Sequence, residues 1–452
     1  MGENFQMMTD SPSVDNPIKI KKVIGFVCIA FLIVLGLKSS VITLAAFGIL
    51  AVYLCAADES ESAEALLFFL SFMNIFKTNK ESTSLFTYLQ LVPIAKILMR
   101  RFKELNVLPF VSSMIMLFYS IFMTVFISFQ MSALVRFTIE ICLLLVYFGT
   151  DAYKKLSSRN MTVFYALGVL VSSVFGKMNN IFPEIDSYLS LFYVRLDADT
   201  VAYRFSGLIS NANYYSIEVT VSLASLLILF RRNVIDKLFY VLSIPLIIFG
   251  IMSQSKTFII SLVLIFMFFV SYVYTHKNVQ NLIMGMVIVV FLLTALSGVI
   301  ASFAGTYMTR LLDFAAEDAT VSSMTTGRWD IWLYYYEEMM ADKFKLFTGH
   351  GLEVNAVRIA PHNMFIQSFY SMGIIGTVLI AALLTTYFIH DGNKKDVWFF
   401  VGLLIIRLLA ANLLFYPNTY YYLMLLFSFI YCFEKDIRSG NTRKEELNGQ
   451  TV

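Results

Sequence analysis

Apolar runs of roughly 13 to 27 residues alternate with short polar breaks along almost the whole chain, the pattern of helices that cross a hydrocarbon core about 30 Å thick. The runs lie near 23–37, 41–57, 64–76, 85–99, 107–127, 133–149, 161–176, 214–230, 238–253, 257–274, 282–303, 363–389, 397–411 and 416–433. They predict an all-α polytopic membrane protein with about 14 transmembrane helices, or about 12 to 14 when the short third, fourth and thirteenth runs are weighed. Residues 1–22 are polar and close on Ile18-Lys19-Ile20-Lys21-Lys22, with no small-residue cleavage site after the first run. The first helix is therefore expected to stay as an anchor. This divides the chain into a polar tail (1–22), one transmembrane domain (23–433) and a second polar tail (434–452).

Composition agrees with the pattern. The 452 residues are 58% hydrophobic and 14% charged, with a mean hydropathy of +0.72, well above the roughly half-apolar usage of soluble domains. A bilayer is thus the expected surrounding, and the net charge of +3 gives no reason to expect a nucleic-acid partner. Cys28, Cys55, Cys142 and Cys432 lie far apart inside apolar runs and suggest packing, not a disulfide framework or a metal site.

Charge then sets an orientation, because Lys and Arg near segment ends are retained on the cytoplasmic side. Alternation from an inside N-terminus places Arg100-Arg101-Phe102-Lys103, Lys154-Lys155, Arg231-Arg232, Lys394-Lys395 and the tail from Lys435 to Lys444 inside. The short outer loops keep only Lys38, Lys77, Lys80 and Lys256. Both termini are expected in the cytoplasm. Two long loops, 177–213 and 304–361, fall on the outer face, and loops of that length in a compact domain are usually functional. His350 and His362 belong to the second, whereas His276 and His390 fall in inner turns.

Within the second loop, Thr326 can cap a helix in which Trp329, Trp332, Leu333, Tyr336, Met339 and Met340 recur at three-to-four spacing. An amphipathic helix lying on the outer leaflet is expected, with Arg328 in its first turn. Backbone N–H groups and the helix dipole favour an anion there, and a guanidinium adds bidentate phosphate binding. The simpler alternative for Arg328 is a grip on lipid headgroups.

Further on, His362-Asn363, nine residues and then Gly373-x-x-Gly376 resemble the histidine motif of O-antigen ligases. Thr326-Gly327-Arg328-x3-Trp332 and Gly349-x-Gly351 are similar to its surroundings in the superfamily of those ligases and Wzy-type repeat-unit polymerases. Tyr203-Arg204-Phe205-Ser206-Gly207 with Asn211-x-Asn213 resembles that superfamily's other signature. The resemblance covers roughly Tyr203 to Gly376 and implies a fold similar to the GT-C glycosyltransferases. It also implies transfer of undecaprenyl-diphosphate-linked glycan on the outer face of the bacterial cytoplasmic membrane, without metal or other cofactor. Donor and acceptor lipid-linked glycans would be the partners, with a flippase and a chain-length regulator of the same pathway as further ones.

The chemistry of the residues is compatible. A sugar hydroxyl attacking an anomeric carbon needs a base near neutral pH, which imidazole provides, and a diphosphate leaving group needs fixed positive charge. The resulting assignment makes His362 the general base or acceptor-orienting group and has Arg204 and Arg328 clamp the diphosphate. Arg310 is a third candidate cation, and Asn363, Asn213, Glu218 and His350 are supporting candidates. Each has a structural alternative: His362 could cap the following helix, Arg204 and Arg310 could snorkel to headgroups, and Glu218 could pair with Arg204. Arg407 lies inside an apolar run with no local partner and could bind lipid phosphate or another helix. Lys96 is expected to snorkel to the inner basic cluster. A polymerase is the favoured reading, a ligase acting on lipid A core or a protein is the alternative, and a flippase for the same lipids is the second.

Overall fold

The computed structural model describes residues 19–80, 82–189, 193–195, 201–235, 237–275, 328–352, 360–389, 397–409 and 417–433. Their regular structure is helical, save for one antiparallel pair of three-residue strands, β1 (Tyr193–Arg195) and β2 (Val201–Tyr203), with Val194 opposite Ala202. In chain order the first helices are α1 (Ile20–Leu35), α2 (Ser40–Ala56), α3 (Glu59–Phe69), α4 (Leu85–Leu89), α5 (Leu91–Arg101) and α6 (Val107–Phe122). Then follow α7 (Met131–Phe148), α8 (Ser158–Lys177), α9 (Glu184–Tyr188), α10 (Ala212–Arg231), α11 (Lys237–Met252) and α12 (Lys256–Thr275). The last are α13 (Arg328–Ala341), α14 (Lys343–Thr348), α15 (Met364–Phe388), α16 (Val397–Leu408) and α17 (Pro417–Tyr431).

Among the described residues, six stretches are long and apolar enough to cross a membrane: Ile20–Lys38, Val107–Ile127, Met131–Phe148, Ser158–Asn180, Ala212–Arg231 and Met364–Phe388. Shorter apolar helices cover Ser40–Ala56, Lys237–Met252, Lys256–Tyr272 and Val397–Leu408. The expected run at 282–303 lies outside the described residues, as do Arg310, His276, His390, residues 1–18 of the first tail and the second tail, while residues 20–22 of the expected first tail already belong to α1.

The third and fourth expected spans differ from expectation. At about 1.5 Å per residue, the 11 residues of α3 and the 11 of α5 each reach only about 16 Å. α3 starts five residues earlier than the apolar run, at Glu59, because Asp58 caps it by accepting the Glu61 amide at 2.8 Å. Glu59 and Glu64 read as polar, but both are buried.

Those carboxylates define one end of the bundle. Glu59 accepts from Arg101 Nε at 3.0 Å and from Lys155 Nζ at 3.2 Å. Glu64 accepts from Lys22 Nζ at 2.5 Å and Asn160 Nδ2 at 3.2 Å. The starts of α1, α3 and α8 and the end of α5 therefore meet there. Asn106, the cap of α6, joins them by donating its amide to Gly149 O, just past α7, at 2.8 Å. Lys96 binds the closing carbonyls of α2, with Nζ 2.7 Å from Cys55 O, so it completes a helix terminus at this end instead of joining the basic cluster.

The opposite end is marked by the far ends of α1, α6 and α8. Lys38, just after α1, lies 3.9 Å from Glu184 of α9. Lys177, the last residue of α8, sits 5.2 Å from the centre of the Phe205 ring. Tyr119, near the end of α6, reaches Thr348. Arg204, α9 and the segment from α14 to the start of α15 consequently share this end. A core of aromatic side chains holds the two ends apart: Phe26, Phe68, Phe69 and Phe164 pack with ring centres 5.0–5.5 Å apart across α1, α3 and α8.

Candidate functional site

α15 opens with Asn363, whose side chain accepts the amides of Phe365 at 3.0 Å and Ile366 at 3.2 Å. The cap is therefore Asn363, so the alternative that gave this job to His362 does not hold. Gly373 interrupts the same helix with φ 64° and ψ −173°. Such a break frees carbonyls that nothing in a hydrocarbon core can satisfy, and here the protein supplies the donors. His350 N reaches Tyr370 O and Gly351 N reaches Ser371 O, each at 3.0 Å. The Tyr119 hydroxyl lies 2.7 Å from both Met372 O and Thr348 O, and its single proton serves one at a time.

Glycine is required on both sides of this contact. A Cβ on Gly349 would meet Ser371 O at 2.3 Å, and one on Gly373 would meet Phe347 O at 2.3 Å, while both residues have positive φ. The Gly-x-Gly and the Gly373 motif thus form one packed unit although they lie far apart in sequence. His350 belongs to it: its ring stacks on Tyr370 with centres 4.0 Å apart and planes 7° off parallel, and Nδ1 lies 3.1 Å from Tyr370 O. Burial pushes its pKa below the usual value.

His362 sits beside this unit, half-buried, with φ 49°. A left-handed backbone is unusual for a residue with a Cβ and is held here by its neighbours. On one side Asn363 caps α15, and on the other Pro361 O accepts Trp332 Nε1 at 2.7 Å. Trp332 projects from α13, whose first residue is Arg328. Burial, and then the nearby Arg328 guanidinium, hold the His362 pKa below 6.5. Both influences favour the neutral imidazole, the form that accepts a proton. Burial opposes the Arg328 charge as well, a cost that a bound anion would offset.

The amphipathic helix begins at Arg328, and the expected capping residue Thr326 lies outside the described residues. Its apolar positions do not form one lipid-facing stripe. Tyr335 is buried against Tyr370, with ring centres 4.8 Å apart, and Trp332 turns inward with it. Trp329, Leu333, Tyr336 and Met340 remain exposed on another stripe.

A second polar cluster lies at the same end. Arg204 Nε donates to Ser253 O at 3.0 Å and Nη2 to Asn213 Oδ1 at 2.9 Å. Arg407, expected to have no local partner, crosses from α16 to donate to Asn213 O at 3.2 Å and to the Ser216 hydroxyl. Glu218 is not the partner of Arg204. Its fully buried carboxylate accepts from Ser71 Oγ and from Asn418 Nδ2, at 2.5 Å each.

Of the expected residues, the structure brings His362, Arg328, Asn363 and His350 around the head of α15, and Arg204 and Asn213 around the head of α10. Arg310 lies outside the described residues. Sequence reasoning missed Tyr119, Tyr370 and Trp332 as supports, and it missed the partners of Arg407. An arginine inside an apolar run was a usable signal for the last; nothing in hydropathy marks the others. No protein-family model matches the chain, and no curated protein matches it.

Proposed function

We propose that this chain is a glycosyltransferase resembling the Wzy-type polymerases and O-antigen ligases, with a GT-C-like fold of about 14 spans. It would join undecaprenyl-diphosphate-linked repeat units on the outer face of the bacterial cytoplasmic membrane. The observation that carries the reading is a half-buried histidine held at positive φ beside a half-buried arginine, at the head of a broken apolar helix. The motif resemblance supplies the substrate class.

In this mechanism the acceptor hydroxyl gives its proton to His362 as its oxygen bonds the anomeric carbon. The bond from that carbon to the diphosphate oxygen breaks, and its electron pair leaves on undecaprenyl diphosphate. Arg328 and Arg204 stabilise that charge as it grows on the leaving oxygen. Asn363 fixes the direction of His362 by capping the helix behind it, and Asn213 steadies Arg204. No cofactor enters the mechanism. The bilayer presents both lipid-linked substrates, a flippase would deliver the repeat units, and a chain-length regulator would act on the product.

A strain carrying His362→Ala tests the assignment. The protein is expected to insert normally and the surface polymer to be lost; unchanged surface polymer would overturn it. The stranded product names the reaction. Single repeats on the final acceptor mean a lost polymerase, and long polymer held on undecaprenyl lipid means a lost ligase.

A further inference from the structure

Among the described residues, Arg407 is the only Lys or Arg that is buried outright, at 1% exposure. Only one of its nitrogens is used: Nη2 binds Asn213 O and the Ser216 hydroxyl. Nε and Nη1 are buried with no hydrogen-bond partner. Among the described residues no carboxylate lies within ion-pair distance of it. The nearest acid along α10, Glu218, is committed to Ser71 and Asn418.

A guanidinium cannot shed its charge as an amine can. Burying it with two free donors costs more than any hydrogen bond to Asn213 returns, unless an anion completes the arrangement. The contrast with the other end of the bundle is informative, because there the buried charges are matched by opposite ones. The second observation is Asn213 itself. Its carbonyl receives Arg407 and its side-chain oxygen receives Arg204, so a single residue is in contact with both guanidiniums. Arg204 is only half-buried and connects the pair to the surface at the end that carries His362.

We propose that Arg407 and Arg204, joined through Asn213, form a cradle that binds a phosphate group. The unpartnered, buried Arg407 nitrogens and the shared contact through Asn213 support a cradle for a phosphate; that the phosphate is the diphosphate of the lipid-linked donor rests on the glycosyl-transfer reading above. Arg407 touches the anion and holds it, and takes no part in moving a proton. An anionic phospholipid headgroup offers the same chemistry, so the experiment separates the two sources.

Full-length protein is placed in phosphatidylcholine nanodiscs, and binding is read from the ligand-induced rise in unfolding temperature. The probes are undecaprenyl diphosphate and, separately, phosphatidylglycerol. Undecaprenyl diphosphate is expected to stabilise the wild type. Arg407→Gln should need about ten- to a hundredfold more ligand for the same rise, as loss of a charged hydrogen-bond donor implies. Arg407→Lys should recover most of the affinity. The ligand-free unfolding temperature of Arg407→Gln should not fall, because the lost charge has no protein counter-ion.

If Arg407→Gln instead lowers the ligand-free unfolding temperature and leaves the concentration dependence unchanged, Arg407 is a structural staple and the cradle is overturned. A wild type stabilised by neither probe overturns it equally. Arg407-dependent stabilisation by phosphatidylglycerol alone keeps the cradle as a headgroup site and removes the support it lends to the glycosyl-transfer reading.

Discussion

The two ends of the helical bundle handle charge in opposite ways. At one end Glu59 and Glu64, both buried, are met by Arg101, Lys155 and Lys22, so the charges neutralise one another inside the protein. At the other end Arg328 and Arg407 meet no carboxylate among the described residues, Arg204 donates to an amide oxygen and a carbonyl, and burial with the Arg328 charge lowers the His362 pKa. A closed ion network stabilises a helix junction and asks nothing of solvent or ligand. The comparison sets charges that meet opposite charges inside the protein against a buried guanidinium, Arg407, that meets none among the described residues.

The sharpest way to break the comparison is to remove the base. His362→Ala should lower glycan transfer about a hundred- to ten-thousandfold with normal insertion, measured as product per inserted protein. Arg204→Ala and Arg328→Ala should each cost about a hundred- to a thousandfold in kcat, measured with purified protein. His390→Ala should leave transfer unchanged. Glu59→Gln should do the converse of these: a loss of about 2 kcal/mol of stability, with Lys155 contributing little because it is half exposed, and unchanged turnover per folded molecule.

Gly373→Ala probes the scaffold of the charged end. A side chain at positive φ, pressed on Phe347 O, should cost about 2 kcal/mol or more and loosen the segment carrying His350. Thermal unfolding and protease sensitivity between residues 342 and 363 would show both. The pH profile sharpens the electrostatic part. His362 must be neutral to act, and burial with Arg328 depresses its pKa below 6.5, so kcat/KM should hold until the pH falls below that value. Arg328→Gln removes a like charge, raises the His362 pKa and should move the acid limb to higher pH. The smallest effect expected is from Trp332→Phe. It deletes one hydrogen bond to Pro361 O and should cost about fivefold in activity, roughly 1 kcal/mol.

Much of the fold was legible because long apolar runs mark helices whose surface is kept from water: α1, α2, α6, α7, α8, α10 and α15 all fall within a few residues of their apolar runs. α3 was misplaced because its first turns are acidic, and the partners that bury Glu59 and Glu64 come from 42 to 96 residues away. The Gly373 motif was visible as a motif, but its meaning was not. A break in a helix leaves no hydropathy signature, and the donors that satisfy it come from Tyr119 and from residues 350 and 351. Arg407 was noticed as a buried charge, yet its contacts lie 191 and 194 positions away. Glu218 was drawn towards Arg204 by nearness in sequence, whereas its buried carboxylate binds Ser71 and Asn418.

The most direct test of the central claim is turnover by purified wild-type protein in liposomes containing lipid-linked repeat units, with no ion or pH gradient. The expected result is release of undecaprenyl diphosphate together with longer lipid-linked glycans, and no release from His362→Ala. Repeat units that stay intact, or that cross the bilayer without cleavage, would contradict it and favour a transporter.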